Sequence, residues 1–238
     1  MSRTLEICAN SVQSAVAAQA GGAHRIELCQ NLEQGGITPS YGLVQRVREL
    51  LSIPVFALIR PRPGNFCYSP DEVAIMATDI AQCRLLGCDG VVLGVLDAQG
   101  RVAVPQCQAL MEVAGPLPVT FHRAFDVCPN QLQALEDVVA LGCQRILTSG
   151  GQATAEAGQT QLATLVEQAA GRISIMPGAG IRPHNIRAVA ARTGATEFHA
   201  SATRPLPLSQ APTPTEFDVS LLQTDAPLVA ELLAQLEG

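Results

Sequence analysis

Tryptophan is absent, aromatic residues make up only 3% of the chain, and no basic block or stripe interrupts a composition of net charge −6. A base-stacking platform and an electrostatic footprint for phosphate backbones are therefore both missing, and nucleic acid is not an expected partner. No apolar run approaches the length needed to span a bilayer, so no membrane contact is expected. The opening Met1-Ser2-Arg3-Thr4 leads straight into a strand pattern and leaves no room for a signal peptide. The eight cysteines stand singly, with no CxxC pair and no dense framework. Reduced thiols in the cytoplasm are the expectation, not a disulfide scaffold.

What is present is a repeat of pattern. A chain of 238 residues with 47% hydrophobic content sustains one large core without division. Short β-branched or apolar runs begin near Leu5, Ile26, Val55, Val91, Val119, Ile146, Ile173 and Glu197, each followed by a polar residue and a helix-patterned stretch. Eight βα units in this length predict an α/β fold, a single (β/α)₈ TIM-type barrel of parallel strands with helical crossovers over residues 1–238. Helix starts are marked by Asn10 or Ser11, by Ser69-Pro70-Asp71-Glu72, and by Pro129. The Pro-rich piece Thr203–Thr224, after strand eight, reads as a long irregular top-face loop, either a lid or a mobile segment.

Period-two alternation assigns faces. In Leu5-Glu6-Ile7-Cys8 and Ile26-Glu27-Leu28-Cys29 the aliphatics suit the helix-covered surface, which turns Glu6, Cys8, Glu27 and Cys29 into the barrel. Buried carboxylates need partners, and Arg60, Arg62, His122 and Arg123 are the expected ones.

Three groups fall at strand C-termini, where barrel chemistry resides. They are Arg60-Pro61-Arg62 with Asn65, Cys67 and Tyr68; Thr120 to Asp126; and Thr148-Ser149-Gly150-Gly151 with Gly178-Ala179-Gly180-Ile181 and His199-Ala200-Ser201. Glycine loops in the last group suit anion binding by backbone N–H groups. Each residue also has a plain structural reading. His122 and His199 are either core histidines or functional groups, Arg60 and Arg62 either neutralise Glu6 and Glu27 or bind substrate, and Asp126 suits a cap for the helix after Pro129. His24, at the opposite end of the barrel, is structural, and His184 opens helix seven.

Several of these segments together resemble the CutC copper homeostasis family. They are Glu27-Leu28-Cys29, Gly35-Gly36-Ile37-Thr38-Pro39-Ser40, Ile59-Arg60-Pro61-Arg62, Thr120-Phe121-His122-Arg123-Ala124-Phe125-Asp126, Leu147-Thr148-Ser149-Gly150 and Phe198-His199-Ala200-Ser201. The resemblance spans residues 5 to 201; the segment after Ser201 matches poorly. It implies a TIM-type barrel, cytoplasmic location, a homodimer, and a copper ion as partner, with Cys8 and Cys29 as the Cu(I) ligands. Thiolates suit that soft ion, although cysteine is also a common buried filler. Cys67 and Cys128, on top loops, are further candidates; Cys83, Cys88, Cys107 and Cys143 read as packing residues.

The top face is more polar than two thiols require. A rival reading is an enzyme acting on a small anionic or phosphorylated metabolite, with His122, Glu27 and Glu6 in acid–base roles. Arg60, Arg62, Ser149, Gly150, Gly178, Gly180, His199 and Ser201 would then hold the anion. A non-catalytic interaction module is the weakest reading, since no exposed apolar helix face or charged partner patch is legible.

Overall fold

The alternation in Leu5-Glu6-Ile7-Cys8 is realised in β1 (Thr4–Ala9), a strand buried on both faces. In the computed structural model, which describes residues 3–206 and 222–237, seven more parallel strands follow. They are β2 (Arg25–Leu28), β3 (Val55–Leu58), β4 (Gly90–Leu93), β5 (Val119–Phe121), β6 (Arg145–Thr148), β7 (Ser174–Pro177) and β8 (Glu197–Ala200). Their hydrogen-bonded order is β7-β6-β5-β4-β3-β2-β1-β8. β7 and β8 lie side by side, with no backbone ladder between them among the described residues. The result is a nearly closed barrel of the TIM type, as the eight repeats predict.

Crossovers are supplied by α1 (Val12–Ala20), α2 (Tyr41–Leu50), α3 (Pro70–Leu85), α4 (Val104–Ala114), α5 (Gln131–Ala140), α6 (Gln159–Ala169) and α7 (Ile186–Thr193); α8 (Ala226–Glu237) ends the chain. The sequence signals at their starts act as expected at α1 and α3. Ser11 accepts the Ser14 amide, and Ser69 with Glu72 forms a reciprocal capping box. Two expectations differ. Pro129 lies outside α5, which Asn130 caps, and His184 precedes α7 in a turn.

Leu5, Ile7, Ile26 and Leu28 pack outward in the main core against the helices, while Cys8, Cys29, Phe56, Leu58 and Val92 form a separate cluster inside. Each large apolar side chain buried fully, such as Phe121 or Phe198, contributes roughly 1.5–3 kcal/mol. Glu6 and Glu27 are buried at 0% and 5% exposure. The register pairs Cys8 with Glu27 and Glu6 with Arg25, so Cys29 stands one interior layer above Cys8.

The expectation of an irregular Thr203–Thr224 loop holds only in part. Its ends pair antiparallel as β9 (Thr203–Pro205) and β10 (Leu222–Thr224). The lid-or-mobile question concerns residues 207–221, which lie outside the described residues.

Candidate functional site

The site is built in layers up the barrel. At the lower layer the Glu6 carboxylate meets the Arg25 guanidinium; Arg25 also reaches Glu197 at 2.8 Å, and Arg145 reaches Glu197 at 3.1 Å. Both guanidinium groups lie about 5 Å over the Phe56 ring. Burial alone would push the Glu6 acid up, but the Arg25 charge and a His199 hydrogen bond outweigh it and hold it at about 2. The expected partners Arg60, Arg62, His122 and Arg123 are not the ones used. Arg25 takes that place because it shares the inward parity of Glu27 and Cys29.

The next layer contains the chemistry. His199 Nδ1 lies 2.8 Å from Glu6 Oε1 and its Nε2 lies 3.7 Å from Glu27 Oε2. Burial alone would lower the imidazole, yet the Glu6 hydrogen bond and the Glu27 charge raise it above its ordinary value. Glu27 is raised, chiefly by burial. Cys8 Sγ stands 3.5 Å from Cys29 Sγ. The Cys29 contact, burial and the Glu27 charge push the Cys8 thiol up. Ligand atoms of Cys8, Glu27 and His199 all lie within 4.8 Å of one another, a constellation able to hold a metal ion. Sequence reasoning placed the two thiols together but put His199 among the anion-binding residues.

Above this layer a cavity of about 340 Å³ opens at the C-terminal ends of the strands. It brings Cys8, Glu27 and His199 to one surface with His122, Arg60, Arg123, Gly180, Arg182 and Ser201. His122 is buried; its Nδ1 accepts the Ala124 amide at 3.2 Å, and burial together with the Arg60 charge lowers it to about 3. Burial thus moves His122 away from the neutral range in which a proton carrier works best.

Arg60 spends two of its nitrogens on the carbonyls of Gln34, Gly36 and Gly64, fastening the loop between β2 and α2 to the loop between β3 and α3. Arg62 pairs with Glu72 and donates to the Pro63, Asn65 and Cys67 carbonyls, away from the cavity. The two arginines are loop fasteners in these contacts, and neither neutralises Glu6 or Glu27.

The loop after β6 also differs from the expected anion nest. Asp126 accepts from Thr148 Oγ1, the Ser149 amide at 2.9 Å and the Gly151 amide at 3.2 Å, and from Ser149 Oγ at 3.0 Å. Gly150 donates to Thr148 Oγ1. Ser149 and Gly150 are thus committed to Asp126 and Thr148, and Asp126 ties this loop down instead of capping α5. Gly178 donates to the Thr148 carbonyl, and a Cβ there would meet Leu147 at 2.4 Å. Cys67 and Cys128 lie outside the thiol cluster; His24 accepts the Leu5 amide at 3.0 Å, the structural role expected of it.

Arg25, Phe66 and Arg182 were not singled out by sequence. Only Arg25 carried a signal, its parity. Phe66 reaches the cavity from a loop whose path no local pattern fixes.

A nearly closed parallel barrel with a polar cavity at the C-terminal strand ends defines a TIM-type barrel with its site in the usual place. The CutC family model matches residues 3–204, and this chain belongs to the CutC family. It is similar to family protein CutC of Xanthomonas axonopodis pv. citri, with 56% identity over 88% of this chain and 87% of the relative. The Xanthomonas campestris pv. campestris strain B100 relative is 52% identical over 98% of both chains. Similarity therefore continues past residue 204, where the family model stops and where the motifs alone found little. A solved structure of CutC from Streptococcus agalactiae, whose name assigns it to copper homeostasis, is 34% identical, with TM-score 0.81 over 84% of this chain and 98% of that one. Thiamine phosphate pyrophosphorylase from Pyrococcus furiosus superposes with TM-score 0.62 at 17% identity, over 98% of this chain and 95% of that one. That likeness shows the barrel fold alone.

Proposed function

We propose that this CutC-family barrel takes part in copper homeostasis and binds Cu(I) as its cargo, with Cys8 and Cys29 as primary ligands. The observation that carries the reading is the 3.5 Å approach of two buried thiols beside an imidazole and a carboxylate. Soft sulfur donors suit Cu(I), and a neighbouring imidazole is compatible with it. The copper homeostasis name of the Streptococcus agalactiae relative supports the same direction. Under anaerobic, reducing conditions the protein is expected to withdraw Cu(I) from a chromophoric chelator. A Cys8→Ser, Cys29→Ser double variant that competes as well as the wild type would sink the reading.

A second reading is favoured by the cavity, whose 340 Å³ exceeds what an ion needs and falls in the range of small-molecule sites. It makes the protein an enzyme acting on a small anionic or phosphorylated metabolite. Glu27 and His199 are its proton carriers, Glu6 acts through His199, and Gly180, Arg182 and Ser201 lie on the wall available to the anion. Arg62, Ser149 and Gly150 have no role in it, their donors being taken. The chain has no lysine side chain, so imine formation of the aldolase kind is not part of this reading. A panel of phosphorylated metabolites should contain at least one that raises the melting temperature; a flat response across the panel would set the reading aside.

In either reading the protein works as a cytoplasmic homodimer. No helix among the described residues is long and apolar enough to cross a membrane. Sedimentation equilibrium checks the dimer, and a monomeric mass would remove it.

A further inference from the structure

Cys8 has two sets of neighbours. One is Cys29, which meets its Sγ but has no exposure and does not line the cavity. The other is the Glu27 carboxylate with the His199 imidazole, and Cys8, Glu27 and His199 all line the cavity wall. The imidazole is already oriented. Its Nδ1 lies 2.8 Å from Glu6 Oε1, and a carboxylate paired with Arg25 can only accept, so Nδ1 carries a hydrogen and Nε2 is the nitrogen left for a ligand. Metal-bound imidazoles are commonly supported in this way, by a carboxylate on the second ring nitrogen. Nε2 stands 3.7 Å from Glu27 Oε2, against about 3.4 Å for a nitrogen–oxygen edge of a tetrahedron around zinc. The other donor separations are within 4.8 Å, so closing on an ion requires side-chain shifts of roughly 1 Å.

We infer that Cys8 Sγ, a Glu27 carboxylate oxygen and His199 Nε2 form a three-ligand site for a divalent cation of the zinc type, with Glu6 as the positioning residue for His199. The donor set decides the class of ion. One thiolate and one carboxylate bring two negative charges beside a neutral imidazole. Together they neutralise a dication in a buried layer, whereas a monovalent ion would leave one charge uncompensated. Sulfur, nitrogen and oxygen donors in one set suit a borderline ion such as Zn²⁺, while carboxylate oxygen is a poor donor for soft Cu(I). Three protein ligands leave a fourth position for water or a ligand oxygen, and the cavity that all three residues line supplies the room for it. The site goes beyond the Cu(I) reading, which needs Cys29; the two have only Cys8 in common.

The probe is Co²⁺, which takes the place of zinc and reports its donors by colour. Reduced, metal-free protein is titrated with it under anaerobic conditions. About one equivalent should give the intense visible bands of four-coordinate cobalt and a near-ultraviolet thiolate-to-cobalt band, and Zn²⁺ should bleach both. Cys8→Ser should abolish the thiolate band, and His199→Gln or Glu27→Gln should weaken binding by about tenfold or more. Cys29→Ser should leave the cobalt spectrum unchanged, because that thiol belongs only to the Cu(I) reading. Failure to bind Co²⁺, a six-coordinate spectrum without the thiolate band, or a thiolate band that survives Cys8→Ser or is lost in Cys29→Ser overturns the proposal. A wild type that still captures Cu(I) in those cases keeps the Cu(I) reading intact. Should a variant fail to fold, the wild-type spectrum decides: a thiolate band of one-sulfur intensity supports the site, and one of two-sulfur intensity overturns it.

Discussion

Glu6 Oε1 and His199 Nδ1 lie 2.8 Å apart, and this contact joins the buried arginine–carboxylate layer to the cavity above it. One oxygen of Glu6 answers Arg25 and the other answers His199. The imidazole is thereby oriented with Nε2 toward Glu27. A carboxylate with no exposure of its own thus sets the tautomer and charge of the histidine that the cavity presents.

Replacing Glu6 by Gln leaves the Arg25 guanidinium and the His199 Nδ1 short of a carboxylate in the interior and should cost about 3–5 kcal/mol in urea unfolding. The pH dependence follows from sign. Glu6 is held at about 2, below its ordinary 4.5, so its contribution is full above pH 4.5 and is lost as pH falls toward 2. That contribution is about 3 kcal/mol. His199 is raised, so its contribution is full below 6.5 and is lost as pH rises through the folded value. Glu27, also raised, gives stability that is present below 4.5 and lost above it. The Glu6 contribution is therefore read as wild type minus Glu6→Gln between pH 2 and 5. Equal slopes for the two proteins in that window would refute it.

Asp126→Ala should release the loop after β6. The variant strands the hydroxyl of Thr148 and the amides of Ser149 and Gly151, all of which now donate to one carboxylate. The expected loss is about 2–4 kcal/mol. Hydrogen exchange at Ser149 and Gly151 should quicken by about tenfold or more, and unchanged protection would show that the backbone holds the loop unaided.

Gly94→Ala is a steric probe of the His122 slot. Position 94 does not have the left-handed backbone that favours glycine, so the penalty comes from the methyl group alone, 2.6 Å from Nδ1 and 3.2 Å from the Ala124 Cβ. Displacing the imidazole should cost about 1–3 kcal/mol and lengthen the Ala124 amide contact, seen as a changed Ala124 amide shift. A variant as stable as the wild type, with that shift unmoved, would mean the ring is not confined by strand four.

Much of the barrel was legible because its signals are local. Alternation in two strands turned Glu6, Cys8, Glu27 and Cys29 inward, and glycine, serine and proline marked most helix limits. The site was legible only as an inventory. Arg60 and Arg62 follow β3 in sequence and looked like partners for the inward acids, yet loop carbonyls and Glu72 capture them first, because an arginine next to an unpaired carbonyl or carboxylate needs no longer reach. From sequence, His122 reads as the proton carrier and His199 as an anion ligand, but both fall at strand ends and nothing local separates them. The difference is two carboxylates beside one ring, which raise it, and burial with the Arg60 charge at the other, which lower it.

The sequence by itself determined the eight parallel strands, the inward parity of the Glu-x-Cys pairs and the family, because periodicity and motif identity are carried by neighbours along the chain. Tertiary structure alone decided the register that levels Cys8 with Glu27 and Glu6 with Arg25. It also decided the closure of β1 on β8 that delivers His199 to Glu6 across 193 residues. Which charges meet inside a barrel depends on how far each strand is displaced along its neighbour, and that displacement is set by packing around the whole ring.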